Sequence, residues 1–451
     1  MFKKILIANR GEIAVRVIRA CKEMRIKTVA VYSTADAASL HVRLADEAVC
    51  IGPAPNKDSY LHAPNIIEAA HITGAEAVHP GYGYLSEQAS FAEACEACQL
   101  TFIGPTASVI ERMGDKARAR ETAKAAGVPI VPGTEETVAS EQEALKTAAK
   151  IGYPVYIKAV AGGGGTGIRR VDDADDLPNA LKMAKSESEA AFGNPEVYIE
   201  KMIEEPRHIE AQILADSHGN VIHLGVRECS VQNVRHKKLL EEAPASEIPL
   251  SLRNRIAESA ARLSKTVGYR GAGTVEFLVD KRGDFYFLEM NTRLQVEHPV
   301  TELVTGVDIV KQQILVAAGQ KLTINQKQVT FNGHSIECRI TAEDPERNYA
   351  PSAGRIDTVH FPGGLGVRVD SHVYDGYDIP PYYDPMLAKL IVWAPDRAQA
   401  IARMARCLDE IEITGVPTNI NLQKKIVANA YYRKGEVTTD FLVRRVMSEE
   451  N

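Results

Sequence analysis

No stretch of this 451-residue chain is apolar for long enough to span a bilayer, which excludes a membrane-crossing helix. The N-terminal Lys3-Lys4-Ile5-Leu6-Ile7-Ala8 has the form of a strand, not of a secretory or transit peptide. Positive charge is not in excess: 53 Lys and Arg face 59 Asp and Glu, for a net charge of −6. Without a global positive field, nucleic acid and anionic membranes are not expected partners. A disulfide framework is missing too. The seven cysteines (Cys21, Cys50, Cys95, Cys98, Cys229, Cys338 and Cys407) are odd in number and scattered, as in a reducing cytoplasm. Cys95 and Cys98 lack the second pair that a metal or redox role needs, and read as buried helix residues. The turn after the first strand, Asn9-Arg10-Gly11-Glu12, lacks the G-x-G-x-x-G spacing of a dinucleotide site. No Gly-Lys-Ser/Thr ending marks a Walker loop.

What is there is an alternation of strands and helices over 1–113, which predicts a doubly wound parallel sheet covered on both faces. Residues 114–328 follow as a second region. Within it, about 131–203 forms a small glycine-hinged unit with the marks of a mobile lid, and 204–300 is rich in antiparallel strands. Residues 329–451 mix strands (HSIECRIT, LAKLIVWA) with helices, a third α/β region. The fold class expected is therefore α/β and α+β.

Two β-type runs, 273–280 and 285–289, flank Lys281-Arg282-Gly283-Asp284 and read as a hairpin. Centred on Arg282-Gly283, the register sets Glu276 opposite Glu289. Directly opposed Cβ atoms lie roughly 5 Å apart, where like charges repel unless a cation neutralises them. Mg²⁺, a hard ion that takes carboxylate oxygens together with phosphates, does so. If the strand continues, Glu289, Asn291, Arg293, Gln295 and Glu297 share one face. That face is either a solvated strand surface or a metal site running into an anion site.

Lys158 ends a strand and is followed by Gly162, Gly163, Gly164, Gly165, Thr166 and Gly167, a flexible linker or an anion nest of backbone N–H groups. Glu200, Lys201, His208 and the run Gln232-Asn233-Val234-Arg235-His236-Lys237-Lys238 hold the remaining basic ligands. That run is a solvated turn or the place to hold phosphate or bicarbonate. His79-Pro80-Gly81-Tyr82-Gly83-Tyr84 is a structural turn or a ligand loop at a sheet edge.

ANRGEIAVRVIRAC, HPGYGYLSE, FIGP, MGDK, AGGGGTGI, EKMIEEPRHIEAQ, GTVEFL, EMNTRLQVEHPVTE, IECRITAEDP, PYYDPMLAKLIVWA and ITGVPTNI together resemble biotin carboxylase, of the ATP-grasp superfamily. The resemblance runs over essentially the whole chain. It implies ATP contacts from Lys116, Lys158, Gly164, Gly165, Glu200, Lys201, His208, Gln232, His236, Glu276, Leu278 and Glu289. It implies two Mg²⁺ (or Mn²⁺) ions, on Glu276 and Glu289 with Asn291 close by. Bicarbonate would be held by Lys238, Arg293, Gln295 and the Val296 main chain, with Glu297 as base. Biotin would lie by Tyr82, Gly83 and Arg339, with Arg339 stabilising its enolate.

The activity implied is carboxylation of biotin on a separate carrier protein, through carboxyphosphate, with a separate carboxyltransferase and a cytoplasmic homodimer. Acetyl-CoA carboxylase is the first parent, in fatty acid biosynthesis, and a two-subunit pyruvate carboxylase the second. Three departures stand out: Thr166 in place of a basic residue, Val226 in place of Glu, and a Gln232–His236 run one residue longer than the family's Q-R-R-H. The alternatives are a nucleotide-binding regulatory subunit impaired by those changes, and another ATP-grasp ligase.

Overall fold

The computed structural model describes residues 1–134, 137–159, 168–192 and 194–447. Near the N-terminus, Ile5, Leu6 and Ile7 are fully buried because helices cover both faces of their strand. The strands Glu47–Gly52, Lys27–Ser33, Lys4–Ile7, Ala77–His79 and Thr101–Phe102 make a parallel sheet in that order. The helices Gly11–Glu23, Ala63–Thr73 and Ala89–Ala97 connect them. Glu47–Gly52 is the strand that the hydrophobic pattern does not announce. Its outer residues are exposed, since it is the sheet edge.

The first strand is central, so the loops after it and after Ala77–His79 leave the sheet side by side, where open α/β sheets bind ligands. Asn9 ties them together by donating from Nδ2 to the Pro80 carbonyl at 2.7 Å and the Tyr82 carbonyl at 2.8 Å. A Cβ on Gly81, whose φ is +64°, would fall 2.8 Å from that amide.

The second sheet has eight strands: Phe285–Asn291, Gly271–Val279, Arg207–Ala215, Val221–Gln232, Lys238–Ala243, His334–Thr341, Met386–Ala394 and Val367–Ser371. Every recorded pairing in it is antiparallel. It runs without a break from the middle of the chain into the C-terminal region, through Lys238–Ala243 against His334–Thr341. A separate three-stranded sheet, Ile168–Val171, Val155–Ala159 and Val197–Lys201, packs on the helices Glu141–Ile151 and Leu177–Phe192. Val155, Ile157, Leu177, Leu181, Val197 and Ile199 give this small lobe its own core. Among the described residues, no helix is long and apolar enough to cross a membrane.

Candidate active site

The hairpin of Gly271–Val279 and Phe285–Asn291 sets Glu276 opposite Glu289, the pairing expected from the sequence. Two one-residue offsets cancel to produce it. The loop centres on Arg282, since Val279 pairs with Phe285, and a bulge at Leu288 then shifts the register by one. The expected continuation of the strand to Glu297 needs correction. The strand ends at Asn291, residues 292–297 turn, and the helix His298–Thr305 begins, with Glu297 at its N-cap and Pro299 in its first turn. Proline is preorganised for that position. Leu294 still packs inward, so Arg293, Gln295 and Glu297 remain near Glu276 without a strand to carry them.

At the centre lies the Lys238 ammonium, 2.6 Å from Glu210, 2.9 Å from Glu276 and 2.7 Å from Glu297. The other Glu297 oxygen accepts from Arg339 at 3.0 Å. Glu297 is fully buried. Burial alone would raise its pKa, but Lys238, Arg339 and Arg227 outweigh it and hold the carboxyl well below the usual range. Glu276 is held low in the same way, against its burial, by Lys238 and by His208 at 3.0 Å. Glu289 lines the cleft. Its enclosure, then Glu276 and Glu87, push its carboxyl up, the strain a divalent cation relieves. Asn291 donates to Glu276 at 2.9 Å, so Glu276, Glu289 and Asn291 together offer an oxygen-rich donor set that suits Mg²⁺.

Arg293 donates to Glu87 at 2.7 Å, to Asn291 at 2.9 Å and to Gln295 at 3.2 Å, and Gln295 reaches Glu276 at 3.4 Å. The Val296 carbonyl accepts from Lys389 at 3.0 Å. Tyr82 donates to Glu12, which pairs with Lys389 at 3.1 Å. Glu12, Tyr82, Glu87, Lys238, Glu276, Glu289, Asn291, Arg293, Gln295, Val296 and Arg339 border one cleft of about 1770 Å³, along with Gly83, Lys116, Lys158, Glu200, Lys201, His208, Gln232, His236 and Leu278, while Glu297, Glu210 and Lys389 are buried behind that lining. Gly164 and Gly165 lie outside the described residues, as does Thr166.

Within the cleft, Glu200 takes both Lys158 and Arg120. Burial, then Arg120 and Lys116, pull the Lys158 amine down to about 8. Lys201 turns aside: its ammonium donates to the carbonyls of Gly152 and Tyr153 inside the small lobe.

The two described departures leave the centre intact. Val226 is buried in the apolar core, while its neighbour Arg227 faces the site and binds Glu210, Gln212, Thr274 and Thr301. The extra residue of 232–236 is taken up in a turn. Asn233 accepts at its carbonyl from the His236 N–H, and its side chain accepts from the Arg235 and Lys237 N–H groups. Gln232 and Lys238 consequently stay directly opposed.

Glu87, Arg120, Glu210, Arg227, Glu241 and Lys389 are the residues that sequence reasoning did not single out. His208, Glu210 and Gln212 alternate along one strand, a signal that could have found Glu210.

Residues 1–110 match the family described as biotin carboxylase, N-terminal domain, and 337–444 match the biotin carboxylase C-terminal domain. Residues 115–325 match the ATP-binding domain of the carbamoyl-phosphate synthase L chain. The biotin carboxylase of Nostoc sp. is 57% identical over 441 residues, 98% of each chain. Biotin carboxylase 1 of Bacillus subtilis is 55% identical over 443 residues, again 98% of each chain. The biotin carboxylase domain dimer of Hydrogenobacter thermophilus 2-oxoglutarate carboxylase, solved with MgADP, ADP and bicarbonate, superposes with a TM-score of 0.89 at 50% identity. That superposition covers 98% of this chain and 97% of the other. Three consecutive domain matches and relatives this similar over nearly the whole length place the chain in the biotin carboxylase family.

Proposed function

We infer that this chain carboxylates biotin with bicarbonate at the expense of ATP, giving carboxybiotin, ADP and phosphate. The observation that carries the reading is Glu297, a buried and ionised carboxylate clasped by Lys238 and Arg339 beside the Glu276–Glu289 pair. Bicarbonate is a poor nucleophile until it is positioned and deprotonated. Lys238, Arg293, Gln295 and the Val296 main chain would hold it, and Glu297 would take its proton. Attack on the γ-phosphoryl group then gives carboxyphosphate. Mg²⁺ on Glu276, Glu289 and Asn291 would offset charge on the phosphates. Lys116, Lys158, Gly164, Gly165, Glu200, Lys201, His208, Gln232, His236 and Leu278 would hold the nucleotide. Arg339, beside Tyr82 and Gly83, would stabilise negative charge on the biotin ureido oxygen.

The biotin would be carried on a separate protein and its carboxyl group passed on by a separate carboxyltransferase. Acetyl-CoA carboxylase is the parent complex we favour, with the chain a homodimer in the cytoplasm. Mixing the purified chain with MgATP and free biotin, with and without bicarbonate, tests the reading. Phosphate release should require bicarbonate and rise with biotin. Release indifferent to bicarbonate would overturn it.

The metal assignment has its own test. Glu289→Gln keeps the shape of the pair but removes one carboxylate, so the Mg²⁺ concentration for half-maximal turnover should rise about tenfold, equivalent to about 1.4 kcal/mol. An unchanged Mg²⁺ requirement would remove Glu289 from the donor set.

A further inference from the structure

Arg339 has a second carboxylate partner. Its guanidinium donates from Nε to Glu241 Oε1 at 2.6 Å, and the same oxygen lies 2.5 Å from the Nη2 that reaches Glu297. Glu241 is fully buried, and its other oxygen has no hydrogen-bond partner. Directly opposite it, across the strands Lys238–Ala243 and His334–Thr341, stands Glu337. Glu337 is also fully buried, and neither of its oxygens has a partner. Opposed residues of an antiparallel pair have Cβ atoms about 4.5–5.5 Å apart, within reach of a carboxyl–carboxyl hydrogen bond. Three buried carboxyl oxygens without partners, on two directly opposed residues, are costly as two anions. One proton between them removes a charge and supplies the missing donor.

We propose that Glu241 and Glu337 share a single proton as a buried carboxyl–carboxylate pair, and that Glu241, its ionised member, is the positioning residue that aims Arg339 at Glu297 and the reacting groups. The activity part rests on the carboxylase reading; the proton does not. The groups facing the pair are consistent with one negative charge, not two. Arg339 and Lys238 face Glu241 from the two strands, and Lys389 faces Glu337 from Met386–Ala394. Glu297 approaches from the turn before His298–Thr305, whose His298 and Glu302 lie against the same sheet. Lys389 is already engaged with Glu12 and, at 3.9 Å, with Asp370, while Arg339 is shared with Glu297. Burial pushes the Glu337 carboxyl well above the usual range, with Glu241 and Glu297 adding to it. Burial also pushes Glu241 up to about 7, against Arg339.

A neutral amide can replace a carboxylic acid but not the carboxylate that holds a guanidinium. Glu337→Gln should therefore keep bicarbonate- and biotin-dependent turnover close to that of the parent. Glu241→Gln should lose about tenfold or more in kcat with the KM for ATP unchanged, the usual scale for removing a group that orients a reacting one.

Two further readouts do not depend on activity. The parent-minus-Glu337→Gln infrared spectrum should contain the carbonyl band of a protonated carboxylic acid near neutral pH. A proton held above the unfolded range stabilises the fold fully at low pH and loses that contribution as pH rises toward the folded value. Glutamine has no proton to lose, so the thermal stability of Glu337→Gln relative to the parent should rise steadily from about pH 5 to about pH 8.5.

No acid band together with a parallel pH profile of Tm would overturn the shared proton. A Glu241→Gln kcat equal to the parent's would overturn the positioning role. If the parent itself shows no bicarbonate-dependent turnover, the carboxylase reading fails, and the band and the Tm profile still decide the pair.

Discussion

Glu297→Gln should lower bicarbonate-dependent phosphate release by about 10²–10⁴-fold, the range supplied by a positioned base. The substitution preserves volume and leaves an amide oxygen to accept from Lys238 or Arg339, so the site should not collapse. Because Lys238, Arg339 and Arg227 hold the Glu297 carboxyl low, it is ionised throughout the neutral range and ready to accept a proton. Loss of the variant's activity should therefore not be recovered by raising the pH. ATP binding, measured separately, should be close to the parent's, since Glu297 is not among the residues proposed to hold the nucleotide. Residual turnover close to the parent's would assign the base elsewhere, with Glu210 the next carboxylate on Lys238.

The second large effect is expected at Lys238. Its ammonium is the common partner of Glu210, Glu276 and Glu297, each within 3 Å. Lys238→Met would leave those carboxylates, two of them with no exposed side-chain surface, facing one another without their shared cation. Removing one partner of a buried ionic network costs about 3–5 kcal/mol, and chemical denaturation should show a loss on that scale. Turnover should fall by about 10²–10³-fold as well, because a fixed cation aimed at a reacting anion is lost. A stability loss with turnover intact would make Lys238 a counter-ion for the fold and shift bicarbonate binding to Arg293. Added salt should rescue little, since the network is shielded from bulk solvent.

How far the sequence reaches is shown by particular residues. Glu276 opposite Glu289 is legible because a hairpin is local: loop length and period two nearly determine its register. Even so, the loop centre and the bulge each departed by one residue, and the pair survived because the errors had opposite sign. Period two fails beyond Asn291, where Pro299 starts a helix that the alternation does not anticipate. Family motifs pointed to Lys238, Arg293, Gln295 and Arg339, which line one cleft, and to Glu297, which is buried against Lys238 and Arg339.

The charges behind them were not legible. Arg227, Glu241, Glu337 and Lys389 acquire their meaning from strand neighbours far apart in the chain, such as Glu241 beside Glu337. No local pattern distinguishes a buried glutamate in a β-type run from one on a solvated strand face. The departures at Val226 and in 232–236 looked alike in sequence. One falls on the core face of its strand and the other in a turn, a difference that only the register reveals.

The unbroken eight-stranded sheet has a consequence for synthesis on the ribosome. Lys238–Ala243 pairs on one side with Val221–Gln232, which emerges just before it, and on the other with His334–Thr341. About 90 residues separate Ala243 from His334, and at 5–20 residues per second that interval lasts on the order of 5–20 s. Throughout it the nascent chain presents an unpaired strand edge, the kind of surface that recruits a neighbouring chain. That edge bears Lys238, Glu241 and Glu242, and charges on an open edge oppose such pairing. The residues that later surround the reaction would thus also guard the half-made protein against aggregation.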